Sequence, residues 1–335
     1  MAFYTLMHEN NKVLTVDMDV YCNSVHFYRI INVENNNLLP FPCKQHTSNE
    51  ANLLTSLSNW FFSRFFDVNR AGFYELSNKL ALYNNNRMFR IQYSNSFFTG
   101  AASLLDHYWF NPSEPMIIAP LTSDDEIKFQ IRPMRWENLN FENRSFNSQV
   151  GDIMEDVMMN SRSRYSNPTE LNLDSPNFTL SGSVMKTWVR INGKLYCKKI
   201  YENSEDGIKH CEQQLRISDY LSALNSPFAL KYNQDQEHPN ICYSERFLGP
   251  NEEFLMCYHL LGAMPNVDVS LENIRKIACK NGCKRRYITS YVRTIKKMKR
   301  DLNLEGKTYF ENIGFIIDSK TGKIIRPAPI FGSSW

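Results

Sequence analysis

The chain has 335 residues, 42% of them hydrophobic, and a formal net charge of +3. That length and apolar content suffice for two domains with real cores, without disulfide or metal staples, and so small a charge does not by itself announce a nucleic-acid partner. No run approaches the roughly 18 apolar residues of a membrane span, and His8, Glu9, Lys12 and Asp17 make the N-terminus too polar for a secretory leader, so a cytoplasmic protein without membrane association is expected.

From the N-terminus, β-rich runs at 12–20, 26–33 and 87–93 accompany one helix, expected over 49–65. Ser48 is its expected N-cap, with Ala51 three residues on where a capping box would carry Glu. Leu53, Leu54, Leu57, Trp60, Phe61 and Phe65 recur at three- and four-residue steps, which reads as a core face in preference to a cofactor-binding aromatic box. His107, in Asp-His-Tyr-Trp, reads as a hydrogen-bonded core or interface residue, because no nucleophile motif accompanies it.

Between 154 and 177 the chain turns polar, through Ser161-Arg-Ser-Arg-Tyr-Ser-Asn-Pro168 and Asp174-Ser-Pro176. Short polar residues and proline favour loop here. The expected organisation is an N-terminal α+β domain at 1–155, a linker at 156–175 and a second domain at 176–335.

The second domain opens with a turn at 179–182 and two strand-like runs, 185–191 and 195–200, separated by Asn192-Gly193. Asn-Gly between apolar runs predicts a hairpin, since both residues accept the positive φ of a type I′ turn. A helix is expected over 208–224, ended before Pro227, then strands at 229–232 and 241–247 and a helical region at 270–302. There Ile288, Tyr291, Val292, Ile295, Met298 and Leu302 share one face.

The other face carries Lys284, Arg285, Arg286, Arg293, Lys296, Lys297, Lys299 and Arg300, with no acid from 280 to 300. A solvated face and a surface for nucleic acid or an acidic protein are both open readings. Tyr287 and Tyr291 do not form a stacking platform, and no helix-turn-helix or zinc pattern accompanies them. The eight cysteines are scattered; Cys279-Lys-Asn-Gly-Cys283 is the one close pair and lacks a second pair to complete a zinc site, so reduced, partly core cysteines are expected.

The residues that carry chemistry lie around the hairpin. Ser181-Gly182-Ser183 feeds it, and its second strand ends on Lys199. Such a turn brings backbone amides to phosphates while the lysine neutralises their charge. Ser181-Gly-Ser-Val-Met-Lys186, the strand pair ending at Lys199, Asn312-Ile-Gly-Phe315, Ile317-Asp-Ser-Lys-Thr-Gly322 and Ala328-Pro-Ile-Phe331 together resemble the HipA-like serine/threonine protein kinases. The likeness is to a bacterial branch with an additional N-terminal domain, which Ser103-Leu-Leu-Asp-His-Tyr-Trp-Phe-Asn-Pro112 and Trp136-Glu-Asn-Leu-Asn-Phe-Glu-Asn-Arg-Ser-Phe146 also resemble.

The resemblance implies an N-terminal α+β domain followed by a kinase-like fold, truncated at its C-terminus, that uses ATP and magnesium. It implies a family that includes toxins of toxin–antitoxin pairs. Ser181, Gly182, Ser183, Lys186, Lys199 and Asn312 would form the nucleotide site, with Asn312 a weak magnesium ligand. The family's catalytic loop runs Asp-Arg-His-x-x-Asn-x-Gly, and its metal-binding aspartate follows Ala-Pro-x-Phe. Aligned on Asn312 and Gly314, the catalytic aspartate is replaced by Lys307, and the metal aspartate by Gly332.

A lysine cannot accept the substrate's proton, a role worth roughly 100- to 10,000-fold, and glycine offers no side-chain ligand. Lys307 reads either as a solvated loop residue or as a cation in place of magnesium's charge. The expectation is a pseudokinase that binds a nucleotide or a protein partner with little or no phosphotransfer. An active kinase using Asp301 or Asp318 is the alternative, and a regulatory nucleic-acid-binding module acting through 284–300 is the third reading. Arg216, in the helix after the lysine strand, stands where that branch has a carboxylate, with Glu212 one turn away.

Overall fold

The computed structural model describes residues 2–21, 24–62, 103, 105–113, 116–118, 129–131, 184–257, 260, 270–304 and 313–331. The chain divides into two units, Met1–Ser183 and Val184–Trp335, and mixes helices with antiparallel sheets, an α+β protein. The expected linker at 156–175 lies outside the described residues, as does the expected strand at 87–93.

The first unit is built on β1 (Ala2–His8), β2 (Asn11–Tyr21), β3 (Ser24–Val33) and β4 (Tyr108–Pro112), all antiparallel in the order β3-β2-β1-β4. β1 goes beyond the elements expected from sequence. Its Tyr4 and Leu6 are fully buried while Phe3 is exposed, the alternation that a sheet covered on one side requires.

The helix α1 (Glu50–Phe62) covers that face with Leu53, Leu57, Trp60 and Phe61. Its cap is Asn49, not Ser48: the Asn49 side chain accepts from Asn52 N at 3.0 Å, an oxygen placed to satisfy an orphan amide of the first turn. Phe61 meets Phe27 and Phe110 edge-on at 5.2 and 5.3 Å between ring centroids, which fixes helix and sheet through three aromatic rings. A further short pair, β5 (Met116–Ile118) with β6 (Phe129–Ile131), also belongs to this unit.

The second unit opens on the hairpin of β7 (Met185–Ile191) and β8 (Lys194–Ile200). Asn192 and Gly193 have φ of 50° and 80°, the two left-handed residues that the Asn-Gly signal calls for. The helix α2 (Glu205–Ala223) follows, three residues earlier than periodicity suggests, because Ser204 caps it by accepting from Gly207 N and Glu205 and Asp206 fill the first turn.

Two short strands, β9 (Tyr232–Gln234) and β10 (Ile241–Glu245), complete a sheet of order β7-β8-β10-β9. A second sheet, β11 (Glu252–Met256), β12 (Gly314–Asp318) and β13 (Ile324–Pro327), is also antiparallel. Gly314 is required there: a Cβ would lie 2.0 Å from the Phe254 ring.

The helical region 270–302 is two helices, α3 (Leu271–Lys280) and α4 (Arg285–Asp301). Asn281 and Gly282 separate them, the glycine at φ 108°, and Ile324 N donates to Asn281 O at 2.9 Å, tying the break to β13. Ile288, Tyr291, Ile295 and Met298 are the buried stripe of α4, as the spacing predicts. Cys279 and Cys283 flank the break as free thiols, and burial pushes the Cys283 thiol up to about 12, which disfavours its thiolate at neutral pH.

Candidate functional site

Lys199 stands on β8, whose side chains alternate between the two faces of the sheet. Its side chain lies on the face covered by α2 and is 2% exposed. The ammonium donates to Gln214 Oε1 at 2.8 Å and sits 4.7 Å from the centre of the Tyr232 ring. Among the described residues no carboxylate lies within ion-pairing distance of it. Burial therefore acts against its charged form and holds its pKa below the ordinary lysine value, with the nearby Cys242, Cys197 and Cys211 sulfurs acting in the opposite direction.

Two neighbours complete the layer. Lys186 on β7 is the cross-strand partner of Lys199 and is itself buried. Cys242 on β10 is the partner on the other side, and its thiol lies close enough to that of Cys211 on α2 for the two to perturb each other, Cys242 being raised above and Cys211 lowered from the ordinary thiol value. Gln214 Nε2 is buried without a hydrogen-bond partner among the described residues. The Lys199 ammonium and the Gln214 amide N–H thus meet in one patch of the interior beside the buried Lys186, donors for an acceptor-rich group.

The segment Ala328–Phe331 is brought to the same layer. Phe331 packs against the cluster of Tyr201, Cys211, Leu230, Tyr232 and Cys242, and meets Phe247 and Phe254 at 5.4 and 5.8 Å. Ala328 N donates to Gly314 O, which holds the chain after β13 beside the start of β12.

Of the residues singled out in the sequence, Lys186 and Lys199 are therefore brought together. Ser181, Gly182, Ser183, Lys307, Asn312 and Gly332 lie outside the described residues. Glu212 and Arg216 are both exposed on α2 and neither faces Lys199; Gln214 does. The register error is a matter of helix phase. Cys211, Gln214, Ser218 and Leu221 form the buried stripe at steps of three and four, and that stripe, read from the sequence, selects Gln214.

Asp301 accepts from the Tyr220 hydroxyl at 2.6 Å and from Arg300 Nε at 3.0 Å. Asp318 Oδ1 accepts from Thr321 N and Thr321 Oγ1 at 2.7 and 2.8 Å, closing the turn between β12 and β13. In the first unit, His107 is buried, with Nδ1 3.6 Å from Glu9 Oε1 and its ring edge-on to His8 at 5.8 Å.

The chain matches no protein-family model, and neither a curated protein nor a solved structure matches it. Among the described residues no helix is long and apolar enough to cross a membrane.

Proposed function

We propose that the second unit is a degenerate HipA-like kinase domain, a pseudokinase that holds a nucleotide or another phosphate-bearing ligand with little or no phosphoryl transfer. The observation that carries this reading is Lys199 itself: a lysine buried beneath a helix, opposite a second buried lysine, and hydrogen-bonded to an amide where a kinase has an acid. Burying the Lys199 ammonium with no carboxylate in ion-pairing distance among the described residues carries a desolvation cost. A phosphate lying against Lys199 and Gln214 Nε2 offsets that cost and gives the amide N–H an acceptor.

The order of elements supports the same reading. A hairpin carrying the lysine, a helix laid over it, and two further strands of which the second joins the lysine strand make the arrangement in which a kinase pairs its strand lysine with a helix glutamate. Gln214 in the glutamate's place keeps the hydrogen bond and loses the charge. With Lys307 and Gly332 at the family's two aspartate positions, the groups that would accept a proton and hold magnesium are missing. Asp301 and Asp318 are engaged by Tyr220, Arg300 and Thr321, so no observation favours a kinase running on those acids. Magnesium, when bound to a nucleotide, neutralises phosphate charge; Lys186 and Lys199 supply that neutralisation from the protein side.

The test is thermal stabilisation by a non-hydrolysable ATP analogue, with and without magnesium. Stabilisation of similar size in both conditions, lost in Lys199→Ala, is expected. Magnesium-dependent phosphorylation of the chain or of a protein substrate, abolished by the same substitution, would overturn the pseudokinase reading.

A further inference from the structure

The helix α4 has two unlike faces. Ile288, Tyr291, Ile295 and Met298 are buried, while Arg285, Arg286, Arg293, Lys296, Lys297 and Arg300 are all exposed. At 3.6 residues per turn these six cations fall within a sector of about 120°, running the whole length of a helix about 25 Å long. Arg300 pairs with Asp301, which Lys297 also influences at longer range, and Arg285, Arg293, Lys296 and Lys297 make no ion pair with any described residue. The polar residues between them, Thr289 and Ser290, add hydroxyls and no bulk.

We propose that this face of α4 is a nucleic-acid docking surface that grips the phosphate backbone without reading sequence. A duplex presents about one negative charge per 1.7 Å of its axis counted around both strands, so a strip about 25 Å long runs alongside about 15 phosphates, of which those on the near side face the cations. Arg and Lys with interspersed Ser and Thr are the side chains that make phosphate contacts, whereas base readout needs a helix seated in a groove.

The two other polyanions fit less well. An interfacial helix binds a lipid surface by inserting its apolar face, and the apolar face of α4 is already buried in the protein. A protein interface draws on exposed aromatic and apolar anchors at its centre, and the exposed sector of α4 has none.

The experiment is fluorescence anisotropy of the full chain with a mixed-sequence DNA duplex and with a single-stranded RNA, between about 50 and 200 mM salt. Each cation seated on a duplex phosphate contributes about 0.9 to the slope of log K against log salt. Lys296→Gln/Lys297→Gln is therefore expected to lower that slope by about 2, with an unchanged thermal midpoint, and Arg293→Gln alone by about 1. Lys199→Ala is expected to leave binding intact, which separates this surface from the buried lysine site. Failure of both nucleic acids to bind at about 50 mM salt, or a slope unmoved by the substitutions, would overturn the proposal. So would poly-glutamate or phosphatidylserine vesicles binding as tightly as nucleic acid at the same salt.

Discussion

The Lys199 ammonium donates to the Gln214 side-chain carbonyl at 2.8 Å, and the pair is closed off from water with no acid among the described residues to share the charge. This contact sets a cost against stability that an apolar interior would not carry. A buried polar pair is often replaced by hydrophobic groups of similar shape with no loss, whereas removing one partner orphans the other.

Lys199→Met/Gln214→Leu is accordingly expected to be at least as stable as the parent, and up to about 1–4 kcal/mol more so, while losing all stabilisation by nucleotide. Urea denaturation with and without the ATP analogue measures both. Gln214→Leu alone should be destabilising, because Lys199 then keeps its charge and loses its acceptor.

The same burial gives a pH dependence with a definite sign. Lys199 is held below the usual 10.5 in the folded chain, so between the depressed value and 10.5 the unfolded chain binds more protons. Stability relative to Lys199→Met/Gln214→Leu should then rise with pH across that alkaline window. Thermal midpoints of the two proteins, compared from neutral to alkaline pH, should converge or cross; a constant difference argues against a lysine whose pKa is depressed on folding.

Asp301 behaves oppositely. Its hydrogen bond from Tyr220, together with Arg300 and Lys297, holds its carboxyl below the usual 3.8. Its contribution is present above 3.8 and is lost as pH falls through the lower folded value. Asp301→Asn should therefore lower the thermal midpoint at neutral pH and not at strongly acidic pH, while leaving nucleotide binding unchanged.

Gly314 permits a close approach that no other residue allows, since an added Cβ would lie 2.0 Å from the Phe254 ring. Gly314→Ala should cost about 1–3 kcal/mol by overpacking. Combining it with Phe254→Leu should recover part of that loss in a double-mutant cycle, and strict additivity would show that the strain lies elsewhere.

At Gly193 the reason for glycine is conformational. A Cβ added there would meet nothing within 4 Å, yet φ is 80°. Gly193→Ala should cost about 1 kcal/mol through backbone strain alone, and Gly193→Asn less, because asparagine tolerates the left-handed region. Urea denaturation of the two variants beside the parent checks the order.

Local signals were legible wherever one element is specified by its own residues. Asn192-Gly193 dictated the hairpin, the three- and four-residue steps dictated the buried faces of α1 and α4, and the run without acids dictated a cationic surface. β1 escaped because a seven-residue strand has too few alternations to stand out until its partners β2 and β4 are known. Capping shifted by one residue, from Ser48 to Asn49, since either side chain can accept an orphan amide of a first turn and only the path of the preceding chain chooses between them.

The candidate site divides along the same line. Lysines at 186 and 199 stood in the predicted strands, and the structure pairs them across the hairpin in the register that the Asn-Gly turn sets. The identity of the group facing Lys199 did not, because it depends on the rotation of α2 over the sheet, which packing of Cys211, Ser218 and Leu221 decides. Sequence alone determined which side chains are available and on which face of each element they stand; the tertiary structure decided that an amide and not an acid meets the buried lysine. The physical reason is that a helix's phase against a sheet is set by contacts between residues distant in the chain, to which local periodicity is blind.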